Sequence, residues 1–205
     1  DNRALMDRVS NFRALPEAKK NMDLHKNLFD ELLAGHRGFW AARPEYTRAM
    51  GNRRRTSAEL VSTDLMMRRG SRWQPERVAL LHSASNEGRF AAMLSQRIMQ
   101  ELWGAVAVEI REIAGLDENL NEVDENLRTC LTDTIRLASA DDVYLNFTGG
   151  YKGVIPFLTV LAFQRNWKLF YLHEESQDAI EIKLPAAAAP AGHPPAPVVR
   201  HFVVL

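Results

Sequence analysis

A short polar turn between an apolar strand pattern and a helix pattern constrains this chain more than any other stretch. Residues 143–147 are mostly apolar apart from Asn146, Thr148-Gly149-Gly150 follow, and apolar positions then recur at helical spacing from about Tyr151. Strand, glycine turn and helix amino terminus are, in this order, typical of α/β proteins, which bind anions there. Two glycines allow positive φ and a close approach of a ligand. Since Lys152 adds a positive charge, we expect a phosphate group to bind at residues 148–152.

The overall charge limits the class of partner. Lys and Arg number 26, as do Asp and Glu, so the formal net charge is zero. A long nucleic acid requires a broadly basic surface, which this composition does not supply. We therefore expect no long nucleic acid as partner, whereas a small anion in one pocket needs only local charge.

The cysteine count and the hydropathy pattern indicate the compartment. The single cysteine, Cys130, cannot form an internal disulfide, which favours a reducing environment and a cytoplasmic location. No apolar run approaches the ~18 residues of a membrane span, and no signal-peptide pattern opens the chain. No pair of His or Cys has metal-ligand spacing, so we expect neither a metal nor a cofactor.

The order of apolar runs predicts an α/β fold. Strand patterns at residues 77–82, 106–113 and 143–146 alternate with helix patterns, and residues 168–173 and 179–184 read as an antiparallel hairpin. This order is typical of a Rossmann-like, mainly parallel sheet with helices on both faces, here with a C-terminal β-hairpin.

The two ends of the chain fit this pattern less well. A doubly wound sheet usually opens with a strand, but residues 1–15 show no strong periodicity, and a helix is predicted from Pro16 to Leu33, ended by Gly35 and Gly38. We interpret the opening strand as missing. We expect one domain over residues 1–185 and an Ala/Pro-rich linker or tail over residues 186–205, whose last apolar residues add an edge strand or pack on a neighbouring chain.

Two further loops carry candidate functions. Thr56-Ser57-Ala58-Glu59 resembles a capping box with Thr56 as cap. After the strand at residues 77–82 come Ser83, Ser85, Asn86 and Glu87. The polar side chains of this loop either cap the next helix or line the ligand site, since the carboxyl ends of parallel strands meet at one edge of a sheet.

Residues 146–159, Asn-Phe-Thr-Gly-Gly-Tyr-Lys-Gly-Val-Ile-Pro-Phe-Leu-Thr, resemble the signature of the CRISPR-associated Rossmann-fold (CARF) domain family. The resemblance is closest to the branch of the ring nucleases and the sensor domains of CRISPR ancillary ribonucleases. Residues 56–59, 80–88 and 170–185 resemble other parts of the family in the same order. Together the resemblance covers roughly residues 50–185.

The resemblance implies a homodimer that binds a cyclic oligoadenylate, most often cyclic tetra-adenylate, across its two-fold axis. The chain would be a sensor domain in type III CRISPR antiviral signalling and would control an effector or membrane segment outside this sequence. The implied ligand-binding residues are Asn146, Thr148, Gly149, Gly150, Tyr151 and Lys152, together with Ser83, Ser85, Asn86 and Glu87. The family's first ligand loop, a Gly-Thr-Ser type turn, has no counterpart here.

Two other functions remain open at this stage. A stand-alone ring nuclease would cleave the ring without a metal by attack of a ribose 2′-OH, leaving a 2′,3′-cyclic phosphate, with Lys152 as the catalytic charge. An ordinary dinucleotide-binding enzyme is disfavoured, because the Gly149-Gly150-x-x-Gly153 spacing differs from the Gly-x-Gly-x-x-Gly fingerprint.

Overall fold

The computed structural model describes residues 2–41, 57–68, 75–104, 106–113, 129, 142–149, 155–172, 179–182 and 200–204. Its α-helices are α1 (Asn2–Ala14), α2 (Lys26–Ala41), α3 (Ala58–Met67), α4 (Asn86–Trp103) and α5 (Ile155–Arg165). Two 3-10 helices, Glu17–Lys19 and Asp23–His25, lie between α1 and α2. The strands are β1 (Arg77–Ser83), β2 (Ala107–Ile113), β3 (Asp142–Asn146), β4 (Lys168–Tyr171), β5 (Ile180–Ile182) and β6 (Arg200–Val204).

These strands form one mixed sheet in the order β2-β1-β6-β3-β4-β5. All neighbouring strands are parallel except β4 and β5, whose antiparallel register places Leu169 opposite Ile182. The predicted α/β class, the mainly parallel sheet and the C-terminal hairpin are therefore confirmed. Among the described helices, none is long and apolar enough to cross a membrane.

Helices pack on both faces of the sheet because its central strands are apolar on both sides. Val78 and Leu80 of β1 belong to one buried cluster, together with residues of α2, α3 and α4. Ala79 and Leu81 point the other way and join a second cluster with residues of α5. This alternation along a single strand is the period-two pattern of an extended chain, and it explains why β1 reads as a continuous apolar run.

The C-terminal strand β6 lies in the middle of the sheet, and the expectation of an edge strand is wrong. Val204 pairs with Leu80 of β1 on one side and with Asn146 of β3 on the other. Strand β6 thus fills the position that a doubly wound sheet gives to its opening strand. The apolar sequence of residues 202–205 indicates a strand, but pairing partners depend on which backbone edges lie free in three dimensions.

The N-terminal helices also differ from the prediction. Helix α1 forms where we expected no regular structure, and α2 runs through Gly35 and Gly38 to Ala41. Both glycines lie on the exposed side of α2, where a missing side chain removes no packing contact. Burial of Leu28 and Trp40 on its other side holds the helix and outweighs the ~1 kcal/mol propensity cost of each glycine.

Helix α3 begins one residue later than the predicted capping box. Its cap is Ser57, whose Oγ accepts a hydrogen bond from the Leu60 N–H at 3.1 Å, so Thr56 is not the cap. Apolar spacing also predicts a helix over residues 121–138, and this stretch lies outside the described residues apart from residue 129.

The central position of β6 predicts a large effect of proline there. Val203 lies between Ala79 and Leu145, so Val203→Pro removes a ladder hydrogen bond between two parallel neighbours and should cost ~3 kcal/mol or more. The control Val203→Thr keeps the N–H group and the branched shape and should cost much less. Thermal unfolding followed by circular dichroism measures both variants. Equal melting temperatures would contradict a central β6.

Candidate functional site

The candidate site lies at the carboxyl edge of the sheet, between β1 and β3. The chain leaves β1 for α4 on one face and leaves β3 for α5 on the opposite face. The two strands are separated only by β6, which places them about 10 Å apart at the usual strand spacing. Connections that diverge in this way mark a topological switch point, and α/β proteins bind ligands in the crevice between two such loops.

Asn146, at the end of β3, organises the turn that follows it. Its side chain is fully buried. Asn146 Nδ2 donates hydrogen bonds to Ser62 Oγ at 2.7 Å and to Thr63 Oγ1 at 3.0 Å, both on α3. Its Oδ1 accepts from the N–H group and the hydroxyl of Thr148, at 3.2 and 2.7 Å. The hydrogen-bonding capacity of this amide is thereby filled by the protein itself.

Thr148 carries the same network across the sheet edge. Its Oγ1, besides donating to Asn146, accepts a hydrogen bond from the Leu172 N–H at 2.9 Å, just after β4. The start of the glycine turn is therefore tied to α3 and to the chain after β4. Of the turn residues predicted to bind the ligand, Thr148 and Gly149 are half-buried here.

Gly149 lies against a carboxylate that the sequence analysis assigned to helix capping. A Cβ atom on Gly149 would come within 2.7 Å of Glu59 Cγ and closer still to the Glu59 carboxyl group. Among the described glycines, only Gly104 has a positive φ. A glycine at position 149 is therefore needed because a side chain would collide with Glu59, and not because the backbone is left-handed. Glu59, in the first turn of α3, thus places a negative charge beside the glycine turn.

The second loop forms the other side of the crevice. Ser83 Oγ and Ser85 Oγ lie 2.8 Å apart. Ser85 is the cap of α4, because its Oγ accepts from the Gly88 N–H at 3.0 Å. Asn86 and Glu87 are the first two residues of the helix. The capping interpretation is thus confirmed for Ser85, and the loop lies at the same sheet edge as the glycine turn.

An N-terminal helical unit, residues 2–41, contacts this loop through charged side chains. Glu87 accepts hydrogen bonds from Lys20 Nζ at 2.8 Å and from Arg13 Nε at 3.0 Å. Glu17 Oε1 accepts from the backbone N–H groups of Asn86 and Glu87. The amino terminus of α4 is therefore covered by the chain's own carboxylate.

The same ion pairs shift the titration of Glu87. The hydrogen bond from Lys20 is the largest influence and, with the nearby Arg13 charge, it holds the pKa of Glu87 below the ordinary glutamate value against partial burial. The hydrogen bond that Lys20 donates to Glu87 likewise raises the pKa of Lys20. Both groups stay charged at neutral pH.

A match to a known protein family covers both loops of the candidate site. A family model described as CRISPR-associated protein (Cas_APE2256) matches residues 54–186, which is more than half of the chain. The chain belongs to this family. No curated protein matches it. The CRISPR-associated family region includes α3 with Glu59, the Ser83–Glu87 loop and the glycine turn, whereas the N-terminal helical unit precedes it.

The structure brings the two predicted loops of this family member to one edge. Gly150, Tyr151 and Lys152 lie outside the described residues. Sequence reasoning missed Glu17 and Glu59 as neighbours of the site. The pattern Thr-x-x-Glu at residues 56–59 marked a helix start, and nothing in it indicated that Glu59 turns towards Gly149. Glu17 lies 69 positions before Asn86, so no local pattern could have joined them.

The packing of Glu59 against Gly149 is testable by a double-mutant cycle. Gly149→Ala should lower the free energy of unfolding by about 1 kcal/mol, because the new methyl group displaces the Glu59 side chain. In a Glu59→Ala background the space is open, and the same change should cost little. Chemical denaturation of the four proteins gives the coupling energy. A coupling of zero would place Glu59 away from the turn.

The ion pairs of Glu87 predict a pH-dependent stability. Because its folded-state pKa is depressed, the stabilisation is complete above the ordinary glutamate value of about 4.3 and is lost as the pH falls through the folded-state pKa. Glu87→Gln should therefore melt below the wild type at pH 7, and the gap should close in acid. Glu76→Gln, an exposed site just before β1, is the control and should show no such gap. A pH-independent gap for Glu87→Gln would argue against the ion pairs.

Proposed function

We propose that this protein binds a cyclic oligoadenylate, most simply cyclic tetra-adenylate, and acts as a sensor domain in type III CRISPR antiviral signalling. The observation that carries the proposal is that the loops after β1 and β3 lie at one edge of the sheet, on a chain of a CRISPR-associated family. These two loops, Ser83–Glu87 and Thr148–Lys152, are those that the resemblance to CARF domains assigns to the ligand. The bound state would control an effector or membrane segment outside this sequence.

The proposed ligand also implies a second copy of the chain. A ring of four identical nucleotides has two-fold symmetry, so a homodimer meets it with two copies of the same loops. Val160 and Phe163, three positions apart on α5, are 56% and 42% exposed. Residues at this spacing share a helix face, and an exposed apolar pair on α5 supports contact with a second copy.

Within this proposal the buried network has a positioning role. Asn146 is fully buried and its amide is filled by contacts with α3 and Thr148. We therefore infer that Asn146 shapes the turn, while Gly149, Gly150, Tyr151 and Lys152 supply the contacts with ligand phosphates and riboses. Lys152 would supply the positive charge that a phosphate needs.

A second candidate function, the ring nuclease, is favoured by Glu59 in particular. A carboxylate beside the glycine turn is a group that can accept the proton of a ribose 2′-OH as its oxygen attacks the adjacent phosphorus. The 2′-oxygen–phosphorus bond would form, the 5′-oxygen would leave, and a 2′,3′-cyclic phosphate would remain. Lys152 would stabilise the charge on the phosphorane-like transition state.

The proposed site predicts a clear effect of removing its lysine charge. Lys152→Ala should weaken binding of cyclic tetra-adenylate by ~1.5–3 kcal/mol, the range for a hydrogen bond to a charged group. Isothermal titration calorimetry measures the affinity. Lys26→Ala, at the exposed start of α2, is the matched control and should bind as the wild type does. Equal affinities of all three proteins would place the ligand elsewhere, and no binding by the wild type would refute the proposal.

The same ligand separates the two candidate functions. Radiolabelled cyclic tetra-adenylate is incubated with excess protein and the products are resolved by size. A sensor leaves the ring intact, whereas a ring nuclease yields linear products that Glu59→Gln should slow. If the wild type and Glu59→Gln cleave the ring at equal rates, Glu59 is not the general base.

A further inference from the structure

We propose that Glu17 is a built-in anion that competes with the ligand for the amino terminus of α4. The inference rests on the proposed function and concerns the regulation of the same site. The N-terminal helical unit would thereby hold the Ser83–Glu87 loop in a closed arrangement, and ligand binding would release the segment that carries Glu17.

The contacts of Glu17 with α4 are specific. Its Oε1 accepts hydrogen bonds from the N–H groups of Asn86 and Glu87, the latter at 3.3 Å, and its backbone carbonyl accepts from Asn86 Nδ2 at 2.9 Å. Ser85 occupies the next N–H group, that of Gly88. The first three amides of α4 are therefore all used, and two of them are held by Glu17.

A carboxylate at this place stands where a ligand phosphate would bind. Both groups carry negative charge and oxygen acceptors, and both are stabilised by the free amides and the dipole of a helix amino terminus. The two cannot occupy the same amides together. Ser85 already caps α4, so the helix does not need Glu17 in order to begin. The contact of Glu17 with α4 is therefore more than ordinary helix capping.

The segment that carries Glu17 can move without unfolding the rest of the unit. Glu17 begins a three-residue 3-10 helix, a form with poorer hydrogen-bond geometry than an α-helix, and its side chain is 47% exposed. The flanking helices are anchored separately. The ring of Phe12 on α1 lies 4.8 Å from that of Phe90, and Arg37 on α2 makes two hydrogen bonds of 2.6 Å to Glu101.

Positive charge would remain at the loop when Glu17 leaves. Lys20 is buried and lies 2.8 Å from Glu87, but also 3.5 Å from Glu17, and Arg13 lies on the other side of Glu87. Both cations are paired with carboxylates in this arrangement. An incoming anion would take the amides of α4 from Glu17, and Arg13 on α1 would remain beside the loop, so binding and displacement are linked and the linkage is reciprocal.

The experiment compares the affinity of two charge-removing variants for cyclic tetra-adenylate by calorimetry. Glu17→Gln keeps the size of the side chain but removes the competing charge, so it should bind roughly tenfold more tightly than the wild type. Glu31→Gln is the control, since Glu31 lies in the same N-terminal unit but pairs with Arg8. It should bind as the wild type does.

A second measurement uses only the wild-type protein. At saturating cyclic tetra-adenylate, amide hydrogen exchange should rise in residues 15–25 and stay unchanged in α2. Equal, measurable affinities of wild type and Glu17→Gln, or unchanged exchange in residues 15–25, would overturn this inference and leave the proposed function intact. Absence of binding by every protein would overturn both.

Discussion

The insertion of β6 between β1 and β3 is the interaction on which the rest of the structure depends. Strand β6 forms one parallel ladder with β1, which leads to α4, and another with β3, which leads to α5. Without β6 the two halves of the sheet would each end in an unpaired edge. The crevice at the carboxyl edge exists because these halves meet there and their connections leave to opposite faces.

The described start of the glycine turn, Thr148 and Gly149, is shaped by a buried polar network. Asn146 sits at the end of an apolar strand, where an unsatisfied amide would be costly, and α3 supplies the two hydroxyl groups that satisfy it. The network brings α3 close enough for Glu59 to pack on Gly149. A strand end, a turn and a helix from a distant part of the chain are thus fixed together.

The net charge of zero conceals carboxylates that lie next to both loops of the crevice. Glu17 and Glu59 place carboxylates beside the two loops that we assign to an anionic ligand. Carboxylates at such a place compete with a phosphate for amides, or accept hydrogen bonds from ribose hydroxyls. Under the proposed function, both effects would make binding depend on how the ring meets the two loops, and the first would couple the loops to the N-terminal helical unit.

The sequence by itself determined the α/β class, the parallel strands, the C-terminal hairpin and the two loops at one edge, because these follow from local periodicity and from the direction of parallel strands. It did not determine α1, the length of α2 or the place of β6. Helix α2 persists through Gly35 and Gly38 because tertiary burial on its other side outweighs propensity. Strand pairing and the contacts of Glu17 and Glu59 join residues that are far apart in the chain. Only tertiary structure decides such contacts, since no local pattern records which distant backbone edge or amide lies free.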